Sequence, residues 1–262
     1  MNTGGDGRTP ARPRLPRLAV TWLGHSTTVL ELEGSRLITD PVLRNRVAHL
    51  RRTVAPVGPV GEVDGILVSH AHRDHLDIPS LRRLSGRARV VVPAGLGRLV
   101  RRSGHREILE VRPGDTVEVD AVRIVVTAAL HDAGRGLRKR GPSPVGFLIG
   151  DEIRTFFVGD TDVHAALGEL RGKVGVALLP IGGWGPRVPA GHLDPMRAAL
   201  ALQLLGPHTC IPIHWGTFRP IYRRAPYESD ATAAARFAAL AASLTPDVKV
   251  RILRPGARLT FA

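Results

Sequence analysis

The sequence predicts an α/β (α+β) fold in which two sheets pack together and helices cover their outer faces. Three observations lead there. Strand-like runs are interrupted by helical segments in both halves of the chain. Apolar residues make up 43% of the 262 positions, which is enough to bury one large core. Several of the apolar strand runs end on a histidine, the first of them on a histidine-rich hexapeptide.

Taken in order, residues 1–17 mix Gly, Pro and Arg without periodicity and read as a disordered leader. The domain spans 18–262. It opens with three strands, Leu18–Leu23, Thr27–Glu33 and Arg36–Thr39, the last two joined by the turn Glu33-Gly34-Ser35. Another strand, Gly65–Ser69, leads into His70-Ala71-His72-Arg73-Asp74-His75. A short helix is expected over Pro79–Leu84, a strand over Ala88–Val92, and a helix over Gly95–Ser103 stopped by Gly104. Strands follow at Ile108, Val117–Val119, Val122–Thr127, Val145–Ile149 and Ile153–Val158. The loop Asp132–Pro144 between two of them is a candidate substrate-facing flap. Asp162 is expected to cap a helix around Val163–Leu170, and Asp194-Pro195 to start another that ends before Gly206-Pro207. Phe237, Leu240, Ala241 and Leu244 mark the apolar stripe of a last helix, and Thr209–Ile213 and Val248–Leu253 complete the strands.

Composition excludes several classes. No run approaches the roughly 20 apolar residues of a membrane span, and the first residues lack the apolar core of a secretory signal, so a cytoplasmic location is expected. Cys210 is the only cysteine, which rules out an internal disulfide and a cysteine-based zinc site; within Cys210-Ile211-Pro212-Ile213 it reads as a buried, inert thiol. The formal net charge of +14 favours anionic partners. Only Lys139, Lys173 and Lys249 are lysines, so the excess is arginine, dispersed and without interleaved aromatics. A compositional bias produces the same pattern, and nucleic acid is a possible but not favoured partner.

The hexapeptide carries the chemistry. Alternation along the strand puts Ile66, Val68 and His70 on one face and lets His72 project beside His70, so two imidazoles converge on one ion. Asp74 and His75 leave on different bearings and suit a second ion. A solvated histidine-rich loop is the competing reading. His131, ending the run Val122–Leu130, is the best further donor for the first ion, against a plain surface histidine. Asp160, in Val158-Gly159-Asp160-Thr161-Asp162, is the candidate bridge, because Gly159 lets the backbone come close; Asp162 is the second choice. His214, again after an apolar strand, completes the second ion. Imidazole suits zinc, and the carboxylates leave room for manganese or iron.

These segments resemble the metallo-β-lactamase superfamily, whose fold is a four-layer αβ/βα sandwich with metals at one edge of the paired sheets. Thr21-Trp22-Leu23-Gly24-His25-Ser26-Thr27, Thr39-Asp40-Pro41, His70–Asp77, Gly159-Asp160-Thr161, His192-Leu193-Asp194-Pro195 and His214-Trp215-Gly216-Thr217-Phe218 are similar to one branch of it. That branch holds the N-acylphosphatidylethanolamine-hydrolysing phospholipase D and, more distantly, ascorbate-6-phosphate lactonase. The resemblance implies His70, His72 and His131 for one metal, Asp74, His75 and His214 for the other, and Asp160 for both. It implies His25 and Asp40 as partners that fix the ligands, and His192 near the reacting group, where a helix-start role competes. The stretch after His131, Asp132-Ala133-Gly134-Arg135-Gly136, lacks the branch's usual aromatic residue.

The expected function is a binuclear metal hydrolase in which a metal-bridging hydroxide attacks a phosphodiester or phospholipid-like ester. Asp74, Asp160 and His192 take part in the chemistry, and Arg135 adds charge at the substrate. A small anionic or ester substrate fits; a lactone or phosphorylated sugar is the next choice, and a nuclease the one after. A diiron redox protein of the same fold is disfavoured, because its motif carries a carboxylate where this chain has His72. A metal-binding interaction protein without catalysis is disfavoured by the full ligand set.

Overall fold

A computed structural model describes residues 17–132, 141–183, 188–222 and 230–262. Residues 1–16 of the expected leader, Arg135 and most of the expected flap lie outside the described residues. In chain order the strands are β1 (Leu18–Gly24), β2 (Thr27–Leu32), β3 (Ser35–Thr39), β4 (Arg46–Val47), β5 (Leu50–Arg52), β6 (Gly65–Leu67), β7 (Arg89–Pro93), β8 (Ile108–Val111) and β9 (Thr116–Val119). They continue as β10 (Val122–Ala128), β11 (Val145–Ile149), β12 (Thr155–Phe157), β13 (Val176–Pro180), β14 (Thr209–Ile213), β15 (Phe218–Pro220), β16 (Lys249–Val250) and β17 (Arg258–Phe261). The helices are α1 (Ile78–Leu81), α2 (Gly97–Val100), α3 (Pro195–Leu205) and α4 (Asp230–Leu244).

Two seven-stranded sheets form, in the orders β17-β1-β2-β3-β6-β7-β8 and β16-β14-β13-β12-β11-β10-β9, with β15-β5-β4 as a small third sheet. Period-two alternation sorts their side chains into layers. Val20, Trp22, Leu30 and Leu67 of the first sheet meet Ile124, Phe147, Ile149, Phe157, Leu178, Ile211 and Ile213 of the second in one buried cluster. The neighbours of those residues face outward. Val29, Ile38, Ile66 and Val90 pack under Ile78, Leu81 and Val100, while Leu148, Phe156, Ala177, Leu179 and Cys210 pack under Ala198, Leu202, Leu205, Phe237 and Ala241. Three apolar interfaces therefore separate four layers, helix, sheet, sheet and helix.

The local signals act as expected at α3. Asp194 accepts from the backbone N–H groups of Met196 and Arg197, Pro195 sits in the first turn, and Gly206 closes the helix at φ +57°. They fail at residues 165–170. That segment is a 3-10 helix preceded by His164, and Asp162 does not cap it. The Asp162 carboxylate instead accepts from Val163 and Gly191 N–H and pairs with Arg197. The last expected strand shortens to β16, and β13 and β17 form where no strand was expected.

Strand direction places the site. β3 and β6 run parallel, as do β12, β13 and β14, and antiparallel pairing through β2 and β11 turns β1 and β10 the same way as their parallel partners. His25, Asp40, His70, His131, Asp160 and His214 all lie just beyond the carboxyl ends of these strands. Side chains gather there because a sheet's strand ends leave an open crevice between connections.

Candidate metal centre

The structure brings His70, His72, Asp74, His75, His131, Asp160 and His214 into one largely buried cluster. His70, His72 and His131 form one group whose ligand atoms lie within 4.8 Å of one another; His25, Asp74, His75 and His214 form another; His131, Asp160 and His192 form a third between them. His70 Nε2 and His131 Nε2 stand 3.0 and 3.1 Å from His72 Nδ1. Across the site, His75 Nε2 and His214 Nε2 are 3.2 Å apart. Asp160 reaches both sides: its Oδ2 is 3.2 Å from His75 Nε2 and 3.9 Å from His70 Nε2, and its Oδ1 is 3.3 Å from His214 Nε2.

Outer hydrogen bonds set the tautomers. His131 Nδ1 donates to the Gly191 carbonyl at 2.8 Å, and His214 Nδ1 to the Gly182 carbonyl at 2.9 Å. His75 Nδ1 donates to Asp40 Oδ2 at 2.7 Å. His70 Nδ1 donates to Ser69 Oγ at 2.9 Å, because that hydroxyl spends its own proton on Asp40 Oδ2 at 2.5 Å. With those outer donations, the inward nitrogens of His70, His131 and His214 carry lone pairs in the neutral rings, and that of His75 does once the ring gives up its second proton. A single proton on His72 Nδ1 satisfies one of its two neighbours at most, and His214 Nε2 has none for Asp160 Oδ1, a buried oxygen left without a donor. Lone pairs and carboxylate oxygens packed at about 3 Å demand cations, and divalent metals fit this donor set.

The protonation pattern agrees. Burial pushes His70 well below the ordinary imidazole value and lowers His72, and it brings His131 to about 4. Burial, helped by the charge of His214, takes His25 to about 3. His75 moves the other way. Burial disfavours its charged form, yet Asp160 and Asp40 outweigh that and hold it well above the usual range. His192 is raised too, with its hydrogen bond to Asp160 overcoming burial. Asp160 stays far below the carboxylate range despite burial, because His214 and His75 flank it; Asp74 does so chiefly through its hydrogen bond to His25. The carboxylates of Asp160 and Asp40 therefore favour positive charge at His75, where a cation would also be held.

Backbone geometry is bent to reach this arrangement. His25, Asp40 and His214 adopt positive φ (54°, 32° and 62°), three of the six non-glycine residues that do so among those described. His25 is held by three bonds: its N–H donates to Thr217 Oγ1 at 2.7 Å, and its carbonyl accepts from Trp22 Nε1 and His214 N. Trp22 stacks on Trp215, and the edge of Phe218 meets the His25 ring. The segment 214–218 is therefore a clamp on the Gly24-His25 turn, which presents His25 Nε2 to Asp74 Oδ2 at 3.1 Å. Gly159 acts as expected: a Cβ there would meet Ser69 Cβ at 2.9 Å and the Val145 carbonyl at 3.0 Å.

Placement of the remaining candidates is mixed. His192, with 18% of its side chain exposed, stands 3.4 Å from Asp160 Oδ2 and edge-on to His131. Asp162 is committed elsewhere, pinning residue 191 and Arg197, so it supports the loop that holds His131 and His192 and is no bridge. Ser69, Gly182, Gly191 and Thr217 are missed by sequence reasoning. Ser69 precedes His70 and offered a weak signal; the two carbonyl contacts are backbone and offered none.

A family model described as beta-lactamase superfamily domain matches residues 35–215. An uncharacterized protein of Mycobacterium tuberculosis is 34% identical over 222 residues, 78% of this chain; the chain spans 60% of that relative's length. A protein of Caldivirga maquilingensis named a metal-dependent hydrolase is 33% identical over 90% of this chain and 94% of its own. The N-acyl-phosphatidylethanolamine-hydrolyzing phospholipase D 1 of Caenorhabditis elegans is 30% identical over 77% of this chain and 64% of its own. Among solved structures, a metallo hydrolase of Ignicoccus hospitalis superposes with a TM-score of 0.71 at 26% identity, covering 94% of this chain and 98% of the other.

Proposed function

The chain belongs to the beta-lactamase superfamily, and on that premise we propose that it is a cytoplasmic binuclear metal-dependent hydrolase acting on a phosphodiester or phospholipid-like ester. The observation that carries this reading is the convergence of ring nitrogens from His70, His72 and His131 on one side and His75 and His214 on the other, with Asp160 between them. His70, His72 and His131 would hold one ion, Asp74, His75 and His214 the other, and Asp160 both, zinc being the metal this imidazole-rich set suits best. Two such ions would supply Lewis acidity and lower the pKa of a bound water toward neutrality.

The chain's own groups do the rest. Asp40 and the Gly182 and Gly191 carbonyls hold the imidazoles in the tautomer that presents a lone pair. His25 orients Asp74. His192, at the open side, can donate from Nε2 to a developing oxyanion or to the leaving group. Likeness to the nematode phospholipase supports the ester class, as do the matching segments around His192 and His214. The test is metal analysis of the purified protein joined to a panel of bis(p-nitrophenyl) phosphate, N-acylated phosphatidylethanolamine and a lactone. Two equivalents of metal with phosphodiester turnover is the expected result. Turnover of the lactone alone would replace the substrate class, and a protein that binds no divalent metal would end the proposal.

A further inference from the structure

A concavity of about 350 Å³ lies behind the hexapeptide, walled by α1, by residues 99–102 and by the turn between β4 and β5. Four arginines line it, Arg44, Arg73, Arg82 and Arg102, against a single carboxylate, Asp77. That carboxylate is already spent. Asp77 receives Arg44 through two bonds of 2.7 and 2.8 Å and caps α1 through Ser80. Arg82 donates to the Arg102 carbonyl. No described carboxylate pairs with the guanidinium of Arg73 or of Arg102. Three exposed guanidinium groups without a carboxylate partner among the described residues therefore share one hollow, a local concentration of positive charge that attracts anions.

An arginine-rich composition does not explain this. Two other hollows among the described residues are lined by charges of both signs: Arg87 and Arg89 against Glu62, Asp64, Glu107 and Asp120 in one, Arg154 and Lys173 against Asp151 and Glu152 in the other. The imbalance is local. Guanidinium forks match phosphate oxygens in pairs, and a hollow of this size sits in the range of small-molecule sites. Val47, Ile78 and Leu99 add apolar wall beside the cations, which suits an organic phosphate better than a bare ion.

We propose that this hollow binds the phosphate group of a small phosphorylated molecule, at a site distinct from the metal centre and adjoining it through Arg73, whose sequence neighbours are His72 and Asp74. The phosphate has two sources, a second phosphate on the substrate or a separate effector.

Calorimetric titration of the metal-loaded protein with inorganic phosphate tests the site. The wild type should bind one more equivalent than Arg73→Gln/Arg102→Gln, or bind it at least tenfold more tightly, at equal metal content. Arg102→Gln alone, remote in sequence from the hexapeptide, should show part of the loss and keeps the test open should the double variant misfold; Lys at both positions should restore part of it. Glycerol 3-phosphate that changes bis(p-nitrophenyl) phosphate turnover in the wild type but not in the variant identifies an effector. A KM raised only for substrates with a second phosphate identifies a substrate anchor. Phosphate stoichiometry and affinity unchanged in both variants would overturn the proposal.

Discussion

The two sides of the candidate metal centre are built differently. On the side of Asp74, His75 and His214, both imidazoles are fully buried and held directly: His75 by the Asp40 carboxylate, His214 by a backbone carbonyl. The turn carrying His25 is clamped over them by residues 214–218. On the side of His70, His72 and His131, two of the three imidazoles are only partly buried, and the sole carboxylate support reaches His70 second-hand through Ser69. One side is a rigid pocket and the other an opening. An enclosed side can hold its ligands in one geometry while the open side gives access to the centre. The two sides meet at Asp160 and again, one layer out, at Asp40.

Removing the inner junction should have the largest effect. Asp160→Asn keeps the shape but loses the charge that faces His75, His214 and His70, so turnover of whichever ester the wild type hydrolyses should fall to background and metal content below that of the wild type, with thermal stability largely retained. Near wild-type turnover would show that the sides do not depend on a shared carboxylate.

Asp40 sharpens the comparison further. Its Oδ2 touches His75 directly and Ser69 Oγ as well, so Asp40→Asn should weaken metal binding by about 10–100-fold, the scale for losing an outer partner of a ligating histidine. The loss should fall on the enclosed side first. Ser69→Ala should touch only the open side, toward the low end of the same range. Two-site zinc titration of the pair separates them; equal losses at both ions in both variants would contradict the asymmetry.

Much of this centre was legible because each ligand follows an apolar run, and an apolar run that stops at a histidine or aspartate marks a strand's carboxyl end. Layering was legible where alternation is present, as in β10, whose Val122, Ile124 and Val126 turn inward while Arg123 is exposed. What escaped reading depends on partners far away in sequence. β13, Val-Ala-Leu-Leu-Pro, lies between two parallel strands and is buried on both faces, so it carries no alternation to detect. β17 is a short edge strand whose pairing with β1 spans the whole chain. The segment 165–170 has a helical composition but closes only 3-10 turns. Positive φ at His25 and His214 is imposed by contacts between residues about 190 positions apart, and no local pattern announces it.

That long-range clamp supplies the smallest and most specific test. Thr217 Oγ1 accepts from the His25 N–H and donates to the Trp215 carbonyl, and the side chain is fully buried. Thr217→Val keeps the methyl group that fills the space beside Gly24 but leaves the His25 N–H without a partner, a cost of about 1–3 kcal/mol. Thermal denaturation should therefore shift down by roughly 2–4 °C for each kcal/mol lost, as for domains near this size. If the clamp serves the enclosed side, zinc there should exchange faster in the variant while zinc on the open side exchanges at the wild-type rate. A fall in Tm with both exchange rates unchanged would make the segment a structural fastening alone and would remove His25 from the support of Asp74.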